Sequence, residues 1–263
     1  MVTCSSKKLI LVQERRCNRK NSSVLKETNR NKTTINLVLL RNFMEPTFLE
    51  ANSNFDYTSD LIKNLIEKIN NGDSQISSFD FTIKAYYYIR DTWLYNPYRF
   101  SLIENDWKAS EICKHTSGHC LDKAILLISV LRGKNIPARL GLSKVKNHIA
   151  VEDIVEKFGN DVLVPHGYVE IFLNDKWVKA TPAFNKTLCE KLNVAPLDFD
   201  GINDSLFQSF DNSGNTAFME YLEDYGTFDH VPLSYMFDLM KETYPALHTA
   251  NIELGMVLNL NEL

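Results

Sequence analysis

No apolar run in these 263 residues is long enough to span a bilayer, which takes roughly 20 residues. The nearest pieces, Leu9 to Val12 and Ile35 to Leu40, are far shorter. No secretory leader is expected either, because no charged start here runs into a longer apolar stretch and a small-residue cleavage site. Cysteine is scarce and odd in number. Cys4, Cys17, Cys113, Cys120 and Cys189 lie at irregular spacing, which argues for reduced thiols rather than a disulfide framework. These absences lead to the expectation of a cytoplasmic protein with no membrane partner. A broad basic surface is also lacking. Residues 1–43 hold ten Lys/Arg against two Asp/Glu, a net of +8; the chain total is −4, so residues 44–263 carry −12. An acidic body repels a phosphate backbone, and no nucleic-acid partner is expected.

What is present is an ordinary globular composition, 44% apolar and 24% charged, in a chain long enough to bury a sizeable core. The basic head, residues 1–43, is rich in Lys, Arg, Asn, Ser and Thr. It is expected to be a disordered extension, or an over-long start with Met44 the true beginning, rather than a tail for RNA or anionic lipid. Residues 44–263 are expected to form one domain, without internal repeats or a long linker.

Within that body the periodicity changes once. Ser59-Asp60 followed by Ile62, Leu65, Ile66 and Ile69 predicts a capped amphipathic helix ending near Gly72. A second helix is predicted over 78–93 and a short one over 109–114. Cys120, Leu121, Ala124, Ile125, Ile128 and Leu131 fall at helical spacing and predict a central helix closed by Gly133. From Ala138 the period becomes two, with a strand to Val145. Residues 165–173 and 176–184 then alternate about an Asn174-Asp175 turn. The remainder reads as turns, with one helical patch at Leu233, Met236, Phe237 and Met240. Helices followed by antiparallel strands make an α+β order.

Cys120 falls at the first turn of the central helix, where unpaired backbone N–H groups and the helix dipole favour thiolate and can hold an oxyanion. Cys113 and Cys189 read as buried structural thiols, so Cys120 is expected to alkylate faster than either. Counting out from the hairpin turn pairs Phe172 with Trp177, Glu170 with Lys179, Tyr168 with Thr181 and His166 with Ala183. That register puts His166 and Thr181 on one face as diagonal neighbours, an imidazole beside an orienting group. His148 is the second candidate base. Cys113, His115, His119 and Cys120 contain metal-ligand types, but structural zinc sites pair two knuckles and no second knuckle exists; no metal is expected. Asp198, Asp200, Asn203 and Asp204 miss the calcium-loop spacing and read as a turn. Tyr95, Asn96 and Tyr98 read either as cleft residues that help hold the oxyanion or simply as the end of a helix.

Four blocks carry a resemblance: Ser117 to Ala124, Asn135 to Gly141, His166 to Glu170 and Trp177 to Asn185. With shorter pieces at 196–201, 204–207 and 219–221, they resemble, in order, the transglutaminase-like superfamily and its bacterial cysteine-protease branch. The resemblance covers roughly residues 45–235. It implies a papain-like α+β fold, the transglutaminase core, with the nucleophile at the start of a central helix packed on an antiparallel sheet. It further implies thioester acyl-enzyme chemistry on a peptide or protein amide substrate, without metal or organic cofactor. The family's nucleophile falls on Cys120 and its histidine on His166, with the Cys120 backbone N–H helping to hold the oxyanion. The third catalytic position, usually Asp, falls on Thr181; Asn185 or a downstream acid are the alternatives for that role. The function so implied is amide hydrolysis or acyl transfer. The alternative is a non-catalytic peptide-binding module of the same fold.

Overall fold

The protein's structure, a computed structural model, describes residues 46–148, 155–156, 159–207, 212, 214, 218–244 and 257–259. Two compact units divide the chain, Met1–Pro46 and Thr47–Leu263. The expectations for residues 1–43 lie outside the described residues; the elements below all belong to the second unit.

Helix α1, Asp60–Asn70, starts at Ser59, whose hydroxyl accepts from Ile62 N, and ends at Asn71 in the left-handed region (φ 52°). It buries Ile62, Leu65, Ile66 and Ile69, the predicted stripe. Helix α2, Ser78–Thr92, is capped by Ser77, which accepts from Asp80 N. Two short strands follow, β1 (Leu94–Tyr95) and β2 (Arg99–Ser101), then the one-turn α3 (Ala109–Ile112) and strand β3 (Ser117–Gly118). Helix α4, Cys120–Gly133, is enclosed almost all round, with every residue from Lys123 to Arg132 buried.

The period-two region forms β4 (Ala138–Asn147), β5 (Val162–Leu173) and β6 (Lys176–Ala180). A short helix, α5 (Lys186–Lys191), then precedes β7 (Met219–Phe228), α6 (Leu233–Thr243) and β8 (Val257–Asn259). Strands β6-β5-β4-β7 make one antiparallel sheet, β1 pairs with β3, and β2 pairs with β8. The fold is α+β, with the buried central helix packed on the antiparallel sheet. Val169 and Ile171 of β5 and Leu140 of β4 join the core that α4 fills. Glycine sets the closest approach between the two layers: a Cβ on Gly167 would stand 2.6 Å from Leu121 Cδ2 and 3.1 Å from its Cα. On the sheet's other face Gly141 makes room for the Tyr168 ring, which lies 2.1 Å from where a Cβ would be.

The hairpin turns at Asn174 and Asp175, both left-handed (φ 49° and 65°), as a type I′ turn requires. Phe172 pairs with Trp177 and Glu170 with Lys179, as the turn predicts. The two outer pairs do not form. The β5–β6 ladder stops at Val169–Ala180. There Thr181 N donates to Ser205 O (2.9 Å) and Ser205 N to Lys179 O (2.8 Å), while the next residue, Pro182, has no N–H to continue a ladder. The expected direct facing of Tyr168 with Thr181 and of His166 with Ala183 is thereby corrected.

Candidate active site

The start of α4 is fixed by its own sequence. His119 is the N-cap: its Nδ1 accepts from Asp122 N (3.2 Å), and the Asp122 carboxylate accepts from His119 N (3.0 Å), a reciprocal capping box. The His119 ring packs against Phe100 and Trp107, each with centroids 5.5 Å away. The two-residue β3 hydrogen-bonds to β1, pairing Tyr95 with Gly118 two positions before the thiol. Cys120 thus has its backbone held from three sides.

Cys120 is 7% exposed, and its sulfur accepts a hydrogen bond from Gly167 N (3.4 Å); the Leu121 and Cys120 N–H groups also face it. Burial is the larger influence and pushes the thiol up to about 11; the Gly167 N–H works in the opposite direction. The expected thiolate character is therefore outweighed in this conformation. Residue 166 immediately precedes that N–H donor. The His166 side chain is 2% exposed, opposite Ser143 on β4, and burial brings its imidazole down to about 4. Neither ring nitrogen has a hydrogen-bond partner among the described residues. Thr181, 4% exposed, likewise has no such partner for Oγ1, while its carbonyl accepts from Tyr86 OH (3.2 Å). The structure thus brings the His166 backbone against the Cys120 sulfur. It forms no hydrogen bond between thiol and imidazole, or between imidazole and Thr181.

Residues 63–182, which include all three positions, match the family model of the transglutaminase-like superfamily. This stretch is a transglutaminase-like core. A comparison with curated proteins finds no match. Among solved structures, a chain named "Putative Cysteine Protease from Cytophaga hutchinsonii" aligns at 14% identity with a TM-score of 0.37. The alignment covers 69% of this chain and spans about half, 53%, of that one.

The alternatives for the third position are engaged elsewhere. Asn185 Oδ1 accepts from Tyr95 N (2.9 Å) and its Nδ2 donates to Thr187 (2.7 Å). Asp224, opposite Ser143 on β7, accepts from Tyr168 OH (3.1 Å) and pairs with Lys179 (3.2 Å). His148, the second candidate base, lies beyond the end of β4 with its Nε2 3.5 Å from Glu220. The cysteine–histidine cluster at 113–120 splits: Cys113 and His115 line one cavity, His119 and Cys120 another. The acidic run is a turn, in which Asp200 Oδ1 accepts from Ile202 N (2.8 Å) and Asn203 N (2.7 Å).

Two contributors were not visible in the sequence pattern. Lys123, one turn along α4, is fully buried and donates to Arg90 O (2.8 Å) at the end of α2 and to Ala183 O (2.5 Å), two residues past Thr181. Burial lowers its ammonium to about 7, an effect that Asp91 partly offsets. Its place in an apolar helical stripe was the only available signal. Tyr244, at the end of α6, closes the other side: its hydroxyl accepts from Val164 N (2.8 Å) and donates to Val162 O (2.9 Å), at the start of β5.

Proposed function

We propose that the protein is a cysteine-dependent amide hydrolase or acyltransferase, with Cys120 as nucleophile, His166 as base and Thr181 as the group that orients the imidazole. The observation that carries this reading is the Gly167 N–H on the Cys120 sulfur (3.4 Å), which seats residue 166 beside a helix-start thiol. A buried imidazole with both nitrogens free of described partners supports it, because a base must have a nitrogen available. In the reaction the sulfur bonds to the carbonyl carbon while His166 takes the thiol proton. The C–N bond then breaks and the amine leaves with that proton, giving a thioester. Water as acceptor completes hydrolysis; an amine completes transfer. The Cys120 backbone N–H would help hold the oxyanion.

For this chemistry the imidazole and sulfur must come within hydrogen-bond reach, a tightening on substrate binding that is common in such sites. A second reading has one observation in its favour: in the resting site all three side chains are neutral and unlinked, as a peptide-binding module of the same fold would allow. A fluorogenic amide assay on the wild type, Cys120→Ala and His166→Ala, with circular dichroism to confirm folding, separates the two. Turnover by the wild type alone supports the enzyme. Absence of turnover and of any acyl-enzyme in the wild type favours the binding module.

A further inference from the structure

The Cys120 sulfur opens into a slot of about 50 Å³ walled by Tyr95, Phe100, His119, Pro165, Met240 and Tyr244. Among the described residues, no Asp, Glu, Lys or Arg lines it. Lys123, the cation one turn along α4, is engaged with the Arg90 and Ala183 carbonyls. Of the two tyrosine hydroxyls, that of Tyr244 is committed to the β5 backbone, while no hydrogen bond ties the Tyr95 hydroxyl to a described residue. Tyr95 is nevertheless held firmly: its N–H donates to Asn185, its strand pairs with Gly118, and its ring meets Phe184 edge-on at 4.6 Å. The Cys120 thiol lies close enough to Tyr95 for its charge to disfavour ionisation of the phenol, after burial itself.

We propose that the slot binds the acyl group of the substrate, that this group is short, apolar and uncharged, and that the Tyr95 hydroxyl donates to the reacting carbonyl oxygen. The inference rests on the acyl-transfer reading of Cys120. Two arguments support it. A carboxylate or ammonium placed in such a slot loses its hydration and meets no Asp, Glu, Lys or Arg among the described residues. On a scale where about 10–15 Å³ admits one water, the slot holds roughly four non-hydrogen atoms, the size of a butyryl chain. Apart from the His119 ring, whose Nδ1 already accepts from Asp122 N, the wall an acyl chain meets is apolar, and the Tyr95 hydroxyl is a donor for the carbonyl oxygen.

The test compares p-nitrophenyl butyrate with mono-p-nitrophenyl succinate, which has the same four-carbon chain ending in a carboxylate. Each rate is divided by that of the same ester with a small free thiol. The full-length chain is acylated, nitrophenolate release is followed, and peptide mapping locates the acyl group. In each case an S–C bond forms at Cys120, the ester C–O bond breaks and nitrophenolate leaves. The butyryl ester should acylate Cys120 at least about tenfold faster, a difference worth about 1.4 kcal/mol. In Tyr95→Phe, butyryl transfer should fall by up to about 10². Alkylation of Cys120 by iodoacetamide, a displacement with no oxyanion, should stay unchanged in that variant. Equal corrected rates for the two esters, or an unaltered butyryl rate in Tyr95→Phe, would overturn the proposal. Acylation of Cys120 by neither ester would overturn the acyl-transfer reading beneath it.

Discussion

Cys120 has the helix-start position and the N–H donors of a reactive thiol, yet its surroundings hold it protonated, up to about 11. Cys113 is half-buried, and Cys189 is wholly buried. Accessibility therefore reverses the order that helix position alone suggests: at neutral pH, iodoacetamide should modify Cys113 ahead of Cys120, with Cys189 last. Quantitative peptide mapping over a time course measures this, and fastest labelling at Cys120 would show that the resting site is more open. Thr181 offers a second residue-scale test. If Thr181 orients the imidazole as proposed, an aspartate in its place would favour the charged form of the ring. Thr181→Asp should raise the His166 titration above about 4, seen by NMR, and leave amide turnover equal or higher. A folded variant with an unchanged histidine titration would show that position 181 does not address the ring.

At the scale of elements, the site depends on how closely β5 can approach α4. A methyl group on Gly167 meets the Leu121 backbone, which cannot swing aside as a side chain can. Gly167→Ala should separate strand and helix, lengthen the N–H contact to sulfur and reduce acylation of Cys120 more than it reduces stability. Thermal melts and acylation rates measured side by side test this; matched losses would contradict it. The capping box makes a different demand: Asp122→Ala removes one reciprocal bond and should cost about 1 kcal/mol of stability. Much of this arrangement was legible beforehand. The stripes of α1 and α4 and the Asn174-Asp175 turn are local patterns, and the inner hairpin register follows from the turn. The end of that ladder was not legible, because it depends on Ser205, distant in the chain, arriving to take the Lys179 and Thr181 backbone. Strand β7 escaped for a related reason: its burial is irregular, with exposed Leu222 among charges, so no clean alternation marks it.

For the molecule as a whole, buried titratable groups near the site make folding depend on pH. His166 has a folded value of about 4 against 6.5 for an exposed imidazole. Between those values the unfolded chain binds a proton that the folded one does not, so stability falls as pH drops from 6.5 towards 4, by at most about 1.4 kcal/mol per pH unit. Lys123, at about 7 folded against 10.5, adds the same sign at higher pH: stability rises from 7 towards 10.5. Denaturant melts of His166→Gln should lose the acidic part of this dependence and keep the alkaline part. An unchanged acidic slope would mean that other groups carry it. No described helix is long and apolar enough to cross a membrane.

Whether Cys120 forms a covalent acyl intermediate with His166 as its base decides between an enzyme and a binding module. Mass spectrometry of the intact protein, quenched early in reaction with p-nitrophenyl butyrate at neutral pH, tests it most directly when wild type and His166→Ala are run together. One butyryl group is expected on wild-type Cys120 and little or none on the variant at the same time, with both folded by circular dichroism. Equal acylation of Cys120 in the two proteins, or a butyryl group found on another residue, would contradict the assignment.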